Sequence, residues 1–188
     1  MKVLLLNGSP RKNGCTYTAL NVVADTLKAE GIDAEVFQAS DPDMENVKAA
    51  AVKLKESDAL VVGSPVYWAS PTGQIIEFMD RLASVAGKDM FYKPAAAVAS
   101  ARRAGTTATL DVLTKYFSYH QMPVVSSCYW NMVHGNTPEE VMKDEEGIQI
   151  MRILGKNMAW LLKCIEAGKK AGVAVPEAED KIKTNFIR

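Results

Sequence analysis

The stretch KVLLLNGSPRKNGCT, residues 2–16, shows the pattern from which the rest of the fold can be read. Its first part, Lys2 to Asn7, is a short apolar run rich in Leu, typical of a strand covered on both faces in a parallel sheet. Its second part is polar and contains two glycines. The apolar residues between positions 20 and 27 then recur at helical spacing, and Gly31 stands where a helix would end. The stretch therefore opens a βα unit.

The same alternation of strand and helix continues along the chain. Further strands are predicted at Ile32 to Phe37, Ala59 to Gly63, Pro94 to Ser100 and Met122 to Cys128. Further helices are predicted at Val47 to Leu54, Ile75 to Ala86, Gly105 to His120 and Gly147 to Gly168. Five strands alternating with five helices predict a doubly wound α/β fold, with a parallel sheet and helices on both faces. We predict one domain over residues 1–172 and a C-terminal extension over 173–188.

The composition narrows the classes of partner and compartment. The 188 residues carry 22 basic and 22 acidic side chains, so charge favours neither nucleic acid nor an anionic membrane, and a small molecule is the expected partner. The apolar run at the start is too short for a signal peptide or a membrane span. Three scattered cysteines form no C-x-x-C pair, which predicts no metal site and a reducing, cytoplasmic location.

The first loop has the composition of a phosphate site. In a doubly wound sheet the ligand lies beyond the carboxyl ends of the strands, near the point where strand order reverses. Residues 7–16 offer hydroxyls, an arginine and the free N–H groups of the next helix, which together suit a phosphate. The spacing matches neither the P-loop nor G-x-G-x-x-G, so a monophosphate fits best. The alternative is a turn that uses Ser9 and Thr16 only as helix caps.

Two further loops follow predicted strands. Residues 63–73 place Tyr67 and Trp68 between prolines at the mouth of the sheet, where they suit a flat ring, although both could instead pack into the core or a subunit contact. Residues 100–107 contain Arg102 and Arg103 and open a helix with glycine and threonine. This loop could close over the same ligand, but paired arginines are equally common on solvated surfaces.

Motifs in these loops resemble a known family. GSPRKNGCT at 8–16, SPVYWASPTG at 64–73 and FMDR at 78–81 are similar to the NADPH-dependent FMN reductase family of flavodoxin-like proteins. The resemblance spans nearly the whole chain and implies a five-stranded sheet of order 2-1-3-4-5. Within the family the chain is most similar to the iron–sulfur flavoprotein branch. That branch carries a cysteine cluster after the second strand, whereas residues 39–44 contain no cysteine, so we predict no iron–sulfur cluster.

The resemblance also implies site residues and a reaction. It places FMN against twelve residues: Ser9, Arg11, Asn13, Cys15 and Thr16 around the phosphate, Pro65, Val66, Tyr67 and Trp68 beside the isoalloxazine, and Ser100, Arg102 and Gly105 completing the pocket. It implies a ping-pong cycle in which NADPH or NADH reduces FMN and a quinone, flavin, azo or nitro compound is then reduced. It also implies a homodimer or homotetramer. The Cys15 thiol has no predicted catalytic role, and no catalytic residue is assigned.

Two alternatives remain open at this stage. A flavodoxin-type electron carrier would bind FMN without nicotinamide turnover. Such a carrier is expected to have a strongly acidic surface, and the zero formal charge of this chain speaks against it. A protein that keeps the fold and has lost the flavin is the other alternative. We also predict that the segment from Tyr129 to Gly135, with Trp130, walls an acceptor pocket on the loop side of the sheet.

Overall fold

Five parallel strands form the central sheet in the computed structural model, which describes residues 1–177, 179–180, 182 and 184. The strands are β1 (Lys2–Asn7), β2 (Asp33–Gln38), β3 (Ala59–Tyr67), β5 (Ala95–Ala101) and β6 (Met132–His134). Their order is β2-β1-β3-β5-β6, and a two-residue strand, β4 (Ser70–Pro71), pairs antiparallel with the end of β3. Without β4 this is the predicted order 2-1-3-4-5, so the predicted fold class is confirmed.

Helices cover both faces of the sheet. They are α1 (Cys15–Ala29), α2 (Met44–Lys55), α3 (Gly73–Ala86), α4 (Thr106–Tyr119), α5 (Pro138–Val141) and α6 (Glu145–Lys170), with a 3₁₀ turn at Gly87–Asp89. Alternate residues of β1 point to opposite layers because side chains alternate along a strand. Val3 and Leu5 pack with α1 and α6, while Leu4 and Leu6 pack with α2, α3 and α4. All four are fully buried, which explains the uninterrupted apolar run.

The predicted fifth strand at Met122–Cys128 is wrong. Only one bridge forms there: the Val125 N–H donates to the Ala95 carbonyl at 2.8 Å, and Val124 is half-exposed. The chain then leaves the sheet edge, because the Ser127 hydroxyl donates to the Tyr129 carbonyl and forms a local turn in place of the ladder. It returns at Asn131, whose side-chain amide donates to the Ala97 carbonyl at 3.1 Å, and the true last strand, β6, follows.

The division into a domain and an extension stays a prediction. Helix α6 ends at Lys170, close to the predicted boundary at 172. Described parts of the tail, among them Pro176 and Ile182, line a groove together with Phe91 and Tyr119. Residues 178, 181, 183 and 185–188 of the predicted extension lie outside the described residues.

Gly155 should be required by the packing of α6 on α1. A Cβ added there would lie 2.8 Å from Thr26 Cβ and 3.2 Å from the Val23 carbonyl oxygen. We expect Gly155→Ala to lower the free energy of unfolding by about 1–3 kcal/mol through overpacking, despite the better helix propensity of alanine. Gly168→Ala in the same helix meets only ordinary contacts and should raise stability by up to about 1 kcal/mol. Urea unfolding would measure both, and effects of the same sign would contradict the packing argument.

Candidate functional site

A crevice of about 190 Å³ lies at the carboxyl ends of the strands. It is lined by residues from all three predicted loops and from the segment after β6: Ser9, Arg11, Cys15, Thr16, Pro65, Val66, Tyr67, Ser100, Ala101, Arg102, Gly135 and Asn136. Nine of the twelve predicted site residues are therefore brought together. The parallel sheet explains this convergence, because the loops that follow neighbouring strands emerge at the same edge.

Three predicted residues do not line the crevice. Asn13 is exposed in the first loop, and the Trp68 side chain is fully exposed at the tip of the β3–β4 hairpin. Gly105 lies behind the wall, packed under that hairpin. Sequence reasoning in turn named Gly135 only as part of the predicted acceptor-pocket segment and missed Asn136, because it placed the last strand too early. The signal that identifies them is topological, since the loop after the last parallel strand must also reach this edge.

The first loop is held in place by the side chain of the buried residue Asn7. Its Oδ1 accepts from the Ser9 N–H at 3.2 Å, and its Nδ2 donates to the Lys12 carbonyl at 3.2 Å and to Gln38 Oε1 at 2.9 Å. Gln38 in turn donates to the Ser9 carbonyl. A polar residue at the end of a buried apolar strand is the sequence signal for this role, because a buried amide must find partners.

The same loop is tied to β3 and to the start of α3. The Gly8 N–H donates to the Gly63 carbonyl at 2.8 Å, and the Thr72 hydroxyl donates to the Gly8 carbonyl at 3.0 Å. A Cβ on Gly8 would lie 2.7 Å from the Ile75 side chain and 2.8 Å from the Gly63 oxygen. Only glycine therefore permits this approach, and the first and second loops are positioned by one contact.

Two buried hydroxyls meet across the crevice floor. Thr16 Oγ1 and Ser100 Oγ are 2.7 Å apart, and either can be the donor. One proton serves this hydrogen bond, which leaves the proton of the accepting hydroxyl available to a ligand oxygen. The pair joins the start of α1 to the end of β5, so it fixes the first loop relative to the third.

The helices that follow the first and third loops, α1 and α4, have no side-chain cap. Gly14 precedes α1 and Gly105 precedes α4, and within the described residues no side chain accepts from the first N–H groups of either helix. Neither helix carries an acidic residue in its first turn. The other α-helices of the described chain are capped by side chains, those of Asp43, Thr72, Thr137 and Asp144. Cys15 and Thr16 of the first turn of α1 line the crevice, so the uncapped N–H groups and the positive end of the α1 dipole lie beside it.

The charged groups of the crevice favour an anion. Arg11 and Arg102 both line it, and neither guanidinium forms an ion pair with any of the described residues. Cys15 is half-buried, and its Sγ lies 3.6 Å from the Gly135 carbonyl oxygen. Burial raises the pKa of the Cys15 thiol, so this group stays protonated and neutral near pH 7.

The segment from Tyr129 to Gly135 is predicted to form a wall of an acceptor pocket, but most of it does not line the crevice. Trp130 precedes β6, packs edge-on against Tyr129 with ring centroids 4.5 Å apart, and lies outside the crevice lining. His134 is exposed, with Nδ1 3.8 Å from an oxygen of Asp144. Only Gly135 of this segment reaches the crevice.

A larger groove, of about 690 Å³, lies between α3 and α4. It is lined by Asp80, Tyr116 and His120 among others, and it presents no open helix N-terminus and no arginine. Its chemistry does not suit a phosphate. The smaller crevice is therefore the candidate site, because size alone does not supply anion-binding groups.

Comparison with known proteins agrees with this geometry. The family described as NADPH-dependent FMN reductase matches residues 1–137. The chain belongs to this family. The predicted resemblance is thus confirmed, and the protein is an NAD(P)H-dependent flavin oxidoreductase with FMN as cofactor and NADPH as co-substrate.

The individual relatives and solved structures that the chain matches include a flavoprotein, a reductase and a flavodoxin. An iron–sulfur flavoprotein of Methanocaldococcus jannaschii is 28% identical over 192 residues, covering 88% of this chain and all of the relative. An NADPH azoreductase of a Bacillus species is 30% identical over 108 residues, covering 54% of this chain and 59% of the relative. A WrbA-like flavodoxin structure from Agrobacterium tumefaciens has the same fold, with a TM-score of 0.67 at 18% identity over 87% of this chain and 97% of that chain.

The residues of the crevice fit the phosphate of FMN. Two arginines without ion pairs, the uncapped N-terminus of α1 and a hydroxyl with a spare proton are groups that bind a phosphate. Nowhere in the described part of the chain do three His, Cys, Asp or Glu side chains gather as metal ligands would. The absence of an iron–sulfur cluster stays a prediction. Within the described ranges no helix is long and apolar enough to cross a membrane.

The Thr16–Ser100 hydroxyl pair should show strong energetic coupling. Ser100→Ala or Thr16→Val alone leaves a buried hydroxyl without its partner, and each should lower the free energy of unfolding by about 1–3 kcal/mol. The double variant removes both polar groups and should cost clearly less than the sum of the two. A double-mutant cycle in urea would measure the coupling. Additive losses would show that the hydroxyls do not depend on each other.

Gly105 should be irreplaceable behind the hairpin. Its φ is +101°, and an added Cβ would lie 2.7 Å from Ala69 Cα and from Val66 Cγ1. We expect Gly105→Ala to cost about 2 kcal/mol or more, from backbone strain together with overpacking. Gly73→Ala, at the start of α3, has open space around its Cβ and should change stability by less than about 1 kcal/mol. Equal effects in thermal or urea unfolding would refute the close approach.

Proposed function

We propose that this chain reduces a small oxidised acceptor with electrons from a nicotinamide nucleotide, by a ping-pong reaction on FMN held in the crevice. The acceptor class is a quinone, a free flavin, or an azo or nitro compound. The observation that carries the proposal is the uncapped start of α1 at a crevice lined by two arginines that form no ion pair with the described residues. An anionic, phosphate-bearing ligand is what such an arrangement stabilises.

The phosphate belongs at the start of α1. The N–H groups of the first turn donate to it, Arg11 adds a charge-assisted hydrogen bond, and Ser9 and Thr16 supply hydroxyls. Asn13 stays a predicted neighbour of the phosphate on the basis of the family motif. The Asn7 network keeps this loop in place before the ligand arrives, which lowers the entropy cost of binding.

The ring of the cofactor belongs against the second loop. Pro65, Val66 and Tyr67 form that wall of the crevice, and Ser100 and Arg102 close the opposite side. Bound FMN supplies the redox chemistry, exchanging a hydride with the nicotinamide and passing electrons to the acceptor. The residues of the chain orient the ring and exclude water from one face. No side chain of the crevice is needed as a general acid or base.

The surroundings of the reaction are part of the proposal. The thiols of Cys15, Cys128 and Cys164 are all unpaired, which suits a reducing compartment, and we propose a cytoplasmic protein. We also propose that it forms a homodimer or homotetramer, as the family resemblance implies. Neither nucleic acid nor a membrane is a proposed partner, because the formal net charge of the chain is zero.

Comparison of FMN with riboflavin tests the phosphate site directly. Arg11→Ala should weaken FMN binding about 10- to 100-fold, because a charge-assisted hydrogen bond is worth about 1.5–3 kcal/mol. Riboflavin has the same ring and no phosphate, so its affinity should change by less than about threefold, the effect of a few tenths of a kcal/mol. Quenching of flavin fluorescence gives both dissociation constants.

The neighbouring residue provides the matched control. Lys12 is exposed and does not line the crevice, so Lys12→Ala should leave FMN affinity nearly unchanged. Equal losses for FMN and riboflavin in Arg11→Ala would place the phosphate elsewhere. Steady-state oxidation of NADPH with menadione then separates the reductase from a flavodoxin-type carrier. FMN-loaded protein that showed no turnover would overturn the proposed reaction.

A further inference from the structure

The tip of the β3–β4 hairpin has a strained backbone. Trp68 and Ala69 are its two central residues, with φ of +52° and +57°. Both therefore occupy the left-handed region, which two-residue hairpins require and which Asn-Gly normally supplies. For residues with a Cβ this conformation is strained, because the Cβ lies too close to the following carbonyl oxygen. Such a turn persists only where the surrounding structure holds it.

The flanking contacts hold this turn from three sides. Tyr67 pairs with Ser70 and Val66 with Pro71 in the hairpin. At its base, the Ser64 hydroxyl accepts from the Thr72 N–H at 3.1 Å. Beneath the tip, Gly105 approaches so closely that a Cβ there would meet Ala69 Cα at 2.7 Å. The orientation of the tip is thus fixed by the fold.

The result is a fully exposed tryptophan beside the site. Trp68 has a relative exposure of 100%, compared with 55% for Trp130 and 68% for Trp160. The preceding residue, Tyr67, lines the crevice. An indole ring is one of the largest apolar groups in a protein, and leaving it in water forgoes the free energy of burial. A strained turn that keeps this ring in water next to a binding site indicates a ligand that covers it.

We propose that Trp68 stacks on the planar ring of the electron acceptor at the mouth of the crevice. This inference rests on the proposed function and deepens it by naming aromatic acceptors as the substrate class. Residues 65–67 already form the wall beside which the FMN ring is proposed to lie, whereas Trp68, the next residue, is fully exposed and does not line the crevice. This exposed position next to the wall suits contact with a molecule that binds after FMN.

The charges around the crevice explain why the acceptor depends on Trp68 more than the nicotinamide nucleotide does. A nucleotide brings phosphates, and the exposed, adjacent residues Arg102 and Arg103 form no ion pairs within the described chain. A quinone or azo compound has no phosphate to offer. Its affinity must come from ring contact, and offset or edge-to-face contact with an aromatic side chain favours such a ring beyond the burial of its area.

The kinetic test compares acceptors with and without a ring. In Trp68→Ala, kcat/KM for menadione should fall about tenfold or more, the equivalent of at least 1.4 kcal/mol, while Trp68→Phe should keep most of it. Ferricyanide has no ring to stack, so its kcat/KM should change by less than about twofold. Trp160→Ala, which removes an exposed indole from α6, is the control and should alter neither value. Equal losses with both acceptors would overturn the proposal.

A binding measurement without turnover provides the second test. In FMN-loaded Trp130→Phe/Trp160→Phe protein, Trp68 is the only indole of the chain. Menadione added without nucleotide should quench its fluorescence along a saturable curve, whereas purely linear, collisional quenching would contradict stacking.

The affinity for FMN separates this inference from the proposed function. Trp68→Ala should bind FMN as the unsubstituted protein does. A loss of about tenfold or more in FMN affinity would assign Trp68 to the cofactor and overturn the inference while leaving the reductase proposal intact. Failure of the unsubstituted protein to bind FMN would instead refute the proposed function itself.

Discussion

The contact between Gly8 and the carbonyl of Gly63 is the constraint on which the site depends. It brings the backbone of the first loop directly against β3, at a distance that a Cβ on Gly8 would prevent. Thr72 extends the contact, because its hydroxyl donates to the Gly8 carbonyl and also accepts from the Ile75 N–H at the start of α3. One close approach therefore sets the first loop, the second loop and a helix at once, and the crevice is the space left between them.

The preference of the crevice for an anion follows from the position of backbone N–H groups that have no hydrogen-bond acceptor within the fold. Every helix begins with N–H groups that lack partners within the helix, and side chains satisfy them at α2, α3, α5 and α6. At α1 and α4 glycines stand in the capping position instead. Since α1 opens on the crevice, which Arg11 and Arg102 also line, unused donors and positive charge concentrate there even though the formal net charge of the chain is zero. Local donor geometry, rather than overall charge, gives the site its preference.

The strands that are buried on both faces could be predicted from the sequence. The last strand could not, because hydrogen bonds at the edge of the sheet determine where it lies. Strands β1, β3 and β5 are covered on both faces, so their composition identifies them. The last strand lies at an edge, where Val124 and Val125 suggested a strand but Ser127 and Asn131 direct the chain away and back. That error left Gly135 out of the predicted cofactor site and Asn136 out of the predictions altogether. The Trp68 side chain is fully exposed and does not line the crevice, and composition could not show this because it does not reveal the φ angles of a hairpin tip.

The opposite walls of the crevice also stabilise each other. The hairpin rests on Gly105, which begins α4, and Ser100 before it is joined to Thr16 at the start of α1. Strain at the tip is thus supported by the same loops that are proposed to hold the cofactor, while the Trp68 side chain itself makes no contribution to the core. Because the ring can change without disturbing the contacts beneath it, the fold separates cofactor binding from the choice of acceptor.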